Sequence, residues 1–342
     1  MKNITIIGTG YVGLVTGVGL SEFGNKVICA DIDHNKIAHL NEGKVPIHEP
    51  GLDEIIKKNV SSNRLFFSSD IASSIKSSKV IIIAVGTPQS ESGKANLDHV
   101  FSVVQTIVDN INDYKIICTK STVPIGTGKR IINKLKKGLE EDLDFNYVSN
   151  PEFLREGSAV KDFLWPDRII IGTKSKKAYK IMCNIYRPLY INKNPIQRTT
   201  VETSEMIKYA SNSFLALKIS YINEIANLCE LVGADVHDVA SAMGKDGRIS
   251  DKFLHPGPGF GGSCFPKDLE ALLSVSNDNN ISMETLKAAI LANKKQKEKM
   301  GEKLEKLIPN GINGKKIAVL GLSFKANTDD IRESSSINMI NY

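Results

Sequence analysis

The glycines of Gly8-Thr-Gly-Tyr-Val-Gly13 constrain this chain more than any other feature. They follow a short apolar run, Asn3–Ile7, and open a helical pattern over residues 12–23. GxGxxG alone is weak, but here a second apolar run, Lys26–Ala30, follows and ends at Asp31, close to the ~20 residues that separate turn and acid in a dinucleotide-binding unit. In such a unit the glycines let the backbone approach a pyrophosphate and let the helix pack against the sheet. The helix N-terminus directs N–H groups at the phosphates. An acid at position 31 takes the ribose hydroxyls and repels a 2′-phosphate, which selects NAD over NADP. The expected cofactor contacts are Gly8, Gly10, Tyr11, Val12, Gly13 and Asp31. Lys36 stands open between a contact on the adenosine side and a solvated helix lysine.

The pattern continues as a parallel sheet with crossover helices. Further strands are expected at residues 65–68, 80–85, 115–119, 146–149 and 168–172, nearly all apolar, as strands covered on both faces should be. Helices are expected at 97–110 and 127–139. Ligands bind at the carboxyl ends of parallel strands, so Thr87, Ser121 and Thr122 fall near the cofactor edge, each equally readable as a strand-ending cap. A long helical stretch over 200–232 carries Met206, Ala210, Phe214, Leu217 and Tyr221 at spacings of three and four. It suits a divider between domains and a dimer surface. Residues 244–262 read as an irregular loop, 266–276 and 283–307 as helices. A strand at 315–321 and a helix from 333 open a second Rossmann-like unit. The fold class is α/β, with domains at 1–199 (NAD-binding), 200–312 (central, helical) and 313–342 (start of a nucleotide-binding domain).

A second chemical feature is Gly259-Phe-Gly-Gly-Ser-Cys-Phe-Pro-Lys-Asp268. Glycines leave the backbone open around Cys264, and Pro266 suits a first helical turn, where its missing N–H costs nothing. Unpaired N–H groups at a helix N-terminus favour a thiolate. Asp268 lies about one turn further on the same side. The decapeptide reads equally as a nucleophile with its carboxylate or as a glycine-rich turn with a small buried thiol.

Composition excludes several classes. At 342 residues, two or three domains are expected. The net charge of +6 is modest, and the lysines of 129–137 and 294–306 alternate with apolar residues as solvated helix faces do. Aromatics are not interleaved with them, so no nucleic-acid partner is expected. A mild positive field suits an anionic substrate such as a nucleotide. No apolar run is long enough for a membrane span and no signal-peptide core is present. Cys29, Cys118, Cys183, Cys229 and Cys264 form neither a disulfide framework nor a metal cluster, which points to a reducing cytoplasm without a metal.

Together the motifs resemble the UDP-glucose/GDP-mannose dehydrogenase family of nucleotide-sugar dehydrogenases. The matching pieces are residues 8–13, Asp31, Ser121-Thr-Val-Pro124, Asn150-Pro-Glu-Phe-Leu-Arg-Glu-Gly157, Pro166-Asp-Arg-Ile-Ile-Ile-Gly172, Lys208 with Asn212, residues 259–268 and Gly321-Leu-Ser-Phe-Lys325. They keep the family's order along the whole chain. Phe265-Pro-Lys-Asp268 and Pro166-Asp-Arg168 look more like the UDP-glucose branch than the GDP-mannose or UDP-N-acetylmannosamine branches. The resemblance implies a four-electron oxidation of a sugar CH2OH to a carboxylate with NAD, through a thiohemiacetal and a thioester on Cys264.

The same resemblance implies roles residue by residue. Lys208 would stabilise the oxyanion with help from Asn212, and Asp268 would hold water, a pairing with Lys208 also being open. Glu152 and Thr122 match residues of proton transfer and water positioning, Glu156 a cofactor or substrate contact, and Arg332 a cofactor contact. Glu152, Phe153, Leu154, Arg248, Phe253, Gly261 and Lys325 match substrate positions. A homodimer through 200–232 is expected. Family members usually continue past this length, so Tyr342 is expected in the first helix of an incomplete domain, and a polypeptide ending there is expected to turn over little. A two-electron β-hydroxyacid-type dehydrogenase is the alternative; it needs a lysine but no cysteine.

Overall fold

The computed structural model describes residues 2–90, 93–140, 143–190 and 195–342. Strand and helix alternate first as β1 (Asn3–Ile7), α1 (Tyr11–Glu22), β2 (Lys26–Ala30), α2 (His34–Asn41), α3 (Leu52–Ser61) and β3 (Leu65–Ser68). Then come α4 (Ile71–Ser77), β4 (Val80–Ile83), α5 (Asp98–Asn110), β5 (Lys115–Thr119), α6 (Thr127–Gly138) and β6 (Phe145–Ser149). The sheet is completed by α7 (Ala159–Leu164), β7 (Ile169–Gly172), α8 (Lys176–Ile185), a 3-10 turn at Arg187–Tyr190 and β8 (Ile196–Thr199).

These strands form one sheet in the order β3-β2-β1-β4-β5-β6-β7-β8. Pairing is parallel from β3 through β6, as expected. Within this parallel sheet β7 is reversed: it meets β6 antiparallel and then pairs in parallel with β8. Only the six residues of α7 lie between them as helix, about 9 Å of rise, too little to return the chain along the sheet. Strand β8, Ile-Gln-Arg-Thr, has no apolar run and escaped the sequence pattern.

Alternate residues of the central strands enter two cores. Ile4, Ile6, Val80, Ile82, Ile116 and Cys118 pack with Leu14 and Val18 of α1; Ile7, Ile81, Ile83 and Ile117 pack with Val100, Val104, Ile107, Ile131 and Leu135 of α5 and α6. Each such side chain, fully buried, contributes about 1.5–3 kcal/mol, which is why isoleucine and valine occupy both faces of β1 and β4. Two glycines permit the turn into α1. Gly8 has φ +100°, and a Cβ at Gly13 would lie 1.9 Å from the Gly8 carbonyl oxygen. The helix therefore packs onto the turn backbone at a distance only glycine allows.

Packing divides the chain into two compact units, Met1–Ser90 with Ala95–Lys208, and Glu91–Lys94 with Tyr209–Tyr342. Helix α9 (Val201–Val232) passes from the first into the second. The second unit is helical, with α10 (Val236–Gly244), α11 (Phe265–Asp278), α12 (Glu284–Leu307) and α13 (Ser335–Asn341). Its interior includes Ala216, Ile222, Leu254, Phe260, Leu269, Leu272, Leu286 and Ala289. The strand expected at 315–321 does not form: these residues carry no regular structure, and Leu320 is 94% exposed. A strand needs a ladder partner for its N–H and C=O groups, and no described residue pairs with this segment. The helix expected from 333 starts at Ser335. No helix among the described residues is long and apolar enough to cross a membrane.

Candidate active site

The first unit carries a cofactor cradle. Gly10 is the N-cap of α1, and a Cβ built there would meet nothing within 4 Å, so open space faces the first-turn N–H groups. Asp31 follows β2 at the same edge. Burial pushes its carboxyl up, but the Thr9 N–H and hydroxyl (each 2.7 Å), the Asp33 N–H (3.1 Å) and the Lys36 ammonium (3.4 Å) outweigh that and hold it below the ordinary carboxylate range. It is an ionised acceptor, as a ribose-binding acid must be. Lys36 is thereby placed on Asp31 rather than in solvent. Open space at a glycine N-cap with an ionised acid beside it fits NAD, and Gly8, Gly10, Tyr11, Val12 and Gly13 line that turn.

Next along the edge, the Thr87 hydroxyl donates to the Thr122 carbonyl at 2.9 Å and the Ser121 hydroxyl to the Val85 carbonyl at 2.6 Å. Two hydroxyls read from sequence as ligand contacts or caps thus tie together the loops after β4 and β5.

Glu152 lies after β6 in an irregular segment, not on a helix. Its buried carboxylate takes the Lys208 ammonium at 2.9 Å and the Leu154 N–H at 2.5 Å. Burial opposes its charge, yet Lys208, the Leu154 N–H and Lys120 together hold the carboxyl below its usual value. Lys120 is buried at the end of β5, and desolvation pushes its ammonium down to about 8. Phe153 packs beneath two cations, the Arg168 guanidinium 4.0 Å and the Lys208 ammonium 5.5 Å from its ring centre. Lys208 is held on α9 one turn after Glu205, whose buried carboxylate accepts the N–H groups of Gly126 and Gly128 (2.7 Å each) at the start of α6. Burial raises the Glu205 carboxyl to about 7 against those two donors. Asn212 stands one turn after Lys208 on the same helix.

In the second unit, Cys264 is the N-cap of α11 and Pro266 sits in its first turn, as the sequence predicts. The Ser263 hydroxyl lies 3.6 Å from the Cys264 Sγ. Asp268, one turn on, is buried and receives the Asn212 amide at 2.6 Å and the Lys267 ammonium at 2.5 Å. The glycines before Cys264 have a second reason. A Cβ at Gly261 would lie 2.2 Å from the Glu333 carbonyl oxygen, one at Gly262 (φ +83°) 2.7 Å from the Phe324 ring, and Gly262 donates to the Arg332 carbonyl at 2.9 Å. The segment 324–333, which carries Lys325 and Arg332, therefore lies on the glycine-rich loop before Cys264. Asn293 of α12 pins that loop by bonding both the N–H (2.7 Å) and the carbonyl (3.0 Å) of Phe260.

The remaining candidates sit nearby or apart. Phe253, at φ +64°, packs 6.2 Å from the Phe265 ring in a loop whose carbonyls at Ile249, Ser250 and Lys252 all accept from Lys218. Arg248 is 89% exposed in its side chain and paired with Asp246; Arg332 is paired with Asp330. The Lys325 ammonium lies 5.3 Å from the Phe324 ring, and Glu156 stands in the turn before α7. Sequence reasoning passed over Glu49, Lys120, Glu205, Lys218, Lys267 and Asn293. Lys267 pairs with the adjacent Asp268, and the others act through partners far away or through backbone groups, which no local spacing announces. Among the described residues no group of His, Cys, Asp or Glu would hold a metal.

Comparison with known proteins shows the family. The UDP-glucose/GDP-mannose dehydrogenase family matches twice, its NAD binding domain over residues 2–190 and its central domain over 202–295. UDP-glucose 6-dehydrogenase from Rhizobium meliloti is 48% identical over 340 residues, covering 98% of this chain and 78% of that protein. The TuaD UDP-glucose 6-dehydrogenase of Bacillus subtilis is also 48% identical, over 99% of this chain and 73% of its own length. The structure of a UDP-glucose dehydrogenase from Pyrobaculum islandicum superposes with a TM-score of 0.95 at 35% identity, covering all of this chain and 79% of the other. With motifs spread in order from Gly8 to Lys325, the chain belongs to the UDP-glucose/GDP-mannose dehydrogenase family.

Proposed function

We propose that this chain oxidises UDP-glucose to UDP-glucuronate. Two NAD molecules, used in turn, would accept the two hydrides. The observation that carries the reading is Cys264 at the N-cap of α11, one turn before a buried Asp268 that is bonded to Asn212. Relatives 48% identical along nearly the whole chain bear the UDP-glucose 6-dehydrogenase name.

The roles are those that the family resemblance implies. The first oxidation removes a hydride from the CH2OH carbon and a proton from its oxygen, the proton passing to water held by Asp268. The Cys264 thiolate adds to the resulting aldehyde carbon, and the new C–S bond gives a thiohemiacetal that retains one transferable hydrogen. Loss of that hydride leaves a thioester. Water, positioned by Asp268 with Glu152 and Thr122, adds to the thioester carbon and expels the thiolate, giving the carboxylate and restoring Cys264. Lys208, with Asn212 beside it, offsets charge on the substrate oxygen at each stage. Glu152 orients the Lys208 ammonium. Asp31, Lys36, Tyr11 and the glycine turn would hold the cofactor, with Thr87, Glu156 and Arg332 toward it. Phe153, Leu154, Arg248, Phe253, Gly261 and Lys325 would meet the sugar nucleotide.

We infer a homodimer through α9 and a reducing cytoplasmic setting, the latter from five cysteines that form no disulfide. Assaying UDP-glucose, GDP-mannose and UDP-N-acetylmannosamine side by side with NAD tests the substrate. UDP-glucose is expected to give a kcat/KM at least 100-fold above the other two; a preference for either of them would reassign the pocket.

A further inference from the structure

Glu49 lies in the loop between α2 and α3, outside every motif matched to the family's chemistry, yet its carboxylate is almost wholly buried. Its partners come from two places. The Tyr11 hydroxyl, from the glycine-rich turn, donates to Oε2. The Gly157 N–H also reaches Oε2, at 2.7 Å, and the Ala159 N–H reaches Oε1 at 2.7 Å with the Val160 N–H at 3.4 Å. Gly157 also donates to the Tyr11 oxygen at 3.0 Å, which closes a three-membered network. A buried carboxylate whose acceptor sites are filled by N–H and O–H donors is costly to disturb, since any donor released is left in a desolvated site. The tyrosine hydroxyl is correspondingly resistant to ionisation, through burial and then the Glu49 bond.

The two ends of this network have different jobs. Tyr11 begins α1 at the cofactor turn. Gly157 ends the segment that holds Glu152, Phe153, Leu154 and Glu156, and α7 starts two residues later. That segment contains no helix or strand of its own to fix it. Asp162 braces its outer side, accepting the Arg155 backbone N–H at 2.9 Å and the Arg155 guanidinium at 2.9 and 2.6 Å. Glu49 braces it from within.

We propose that Glu49 is a positioning residue that ties the acid–base segment 152–157 to the cofactor turn, so that cofactor engagement at Tyr11 and the placement of Glu152 are coupled. The proposal rests on the activity proposed above for its kinetic consequence, but not for its structural one. Glu49→Gln keeps the shape while presenting an amide donor to N–H groups; Tyr11→Phe removes one hydroxyl and tests the same link with little demand on folding.

Hydrogen exchange of the 155–160 peptide is the direct measurement, made on wild type and both variants with and without NADH, beside steady-state kinetics. Exchange of this peptide is expected to rise at least tenfold in Glu49→Gln and about threefold in Tyr11→Phe, while β4 is unchanged. NADH should slow it in wild type and lose that effect in both variants. The turnover number should fall at least tenfold in Glu49→Gln, with KM for the sugar nucleotide within about threefold. NADH protection of 155–160 in Tyr11→Phe equal to that in wild type would overturn the proposal, as would unchanged exchange in Glu49→Gln. Wild-type protein inactive on every nucleotide sugar would sink the proposed activity instead, and the exchange result would still decide the link.

Discussion

At the scale of the residue, charge in this protein is held by context more than by proximity in sequence. Glu152 stays ionised in a dry site because Lys208 and a backbone N–H offset its burial. Glu205, three residues before Lys208, receives two backbone N–H groups, and burial outweighs them, raising it to about 7 from 4.5. A carboxyl whose folded value is raised favours the native state while protonated. That contribution is complete below about pH 4.5 and is lost as pH rises through 7. Glu205→Gln does not titrate, so its stability relative to wild type should rise across that interval by an amount on the order of 3 kcal/mol at most. Thermal unfolding of both proteins at a series of pH values checks this; a pH-independent difference would show that Glu205 does not titrate there. The sequence displayed the residues to which the proposed function gives chemistry or cofactor contact, Cys264, Asp268 and Asp31, because each sits in or beside a local motif, the glycine-rich loop into α11 or the end of β2. It hid Glu49, Glu205 and Lys120, whose meaning lies in partners dozens of residues away.

At the scale of the element, the strands were legible because burial on both faces demands unbroken isoleucine and valine, as in β4. The reversal at β7 was not, because strand direction depends on how far α7 carries the chain and not on strand composition. Helix α9 was read with both its length and its outward stripe. Phe214, Tyr221 and Leu228 recur every seven residues and are 63%, 48% and 55% exposed, an apolar seam on one helix face. If that seam joins two copies, placing a carboxylate at each end of it separates them. The double variant Phe214→Glu with Leu228→Glu should elute as a monomer in size-exclusion chromatography with light scattering, where wild type is expected to run as a dimer. A dimeric variant would move the interface elsewhere. The segment 315–321 teaches the opposite lesson: an apolar run predicts a strand only where a partner strand receives its backbone.

At the scale of the whole molecule, the proposed mechanism draws different groups from each compact unit. The first offers the cofactor turn and the Glu152–Lys208 pair, the second a cysteine at a helix start with its buried aspartate. Helix α9 carries Lys208 and Asn212 one turn apart, so the oxyanion groups of the proposed mechanism share a single rigid element. A two-electron dehydrogenase would use the lysine and leave the cysteine idle. Counting NADH formed per UDP-glucose consumed, with limiting sugar, in wild type and in Cys264→Ser, separates the two directly. Two NADH per sugar in wild type and loss of at least 99% of the steady-state rate in the variant are predicted. One NADH per sugar, or undiminished glucuronate formation without the thiol, would contradict oxidation through Cys264.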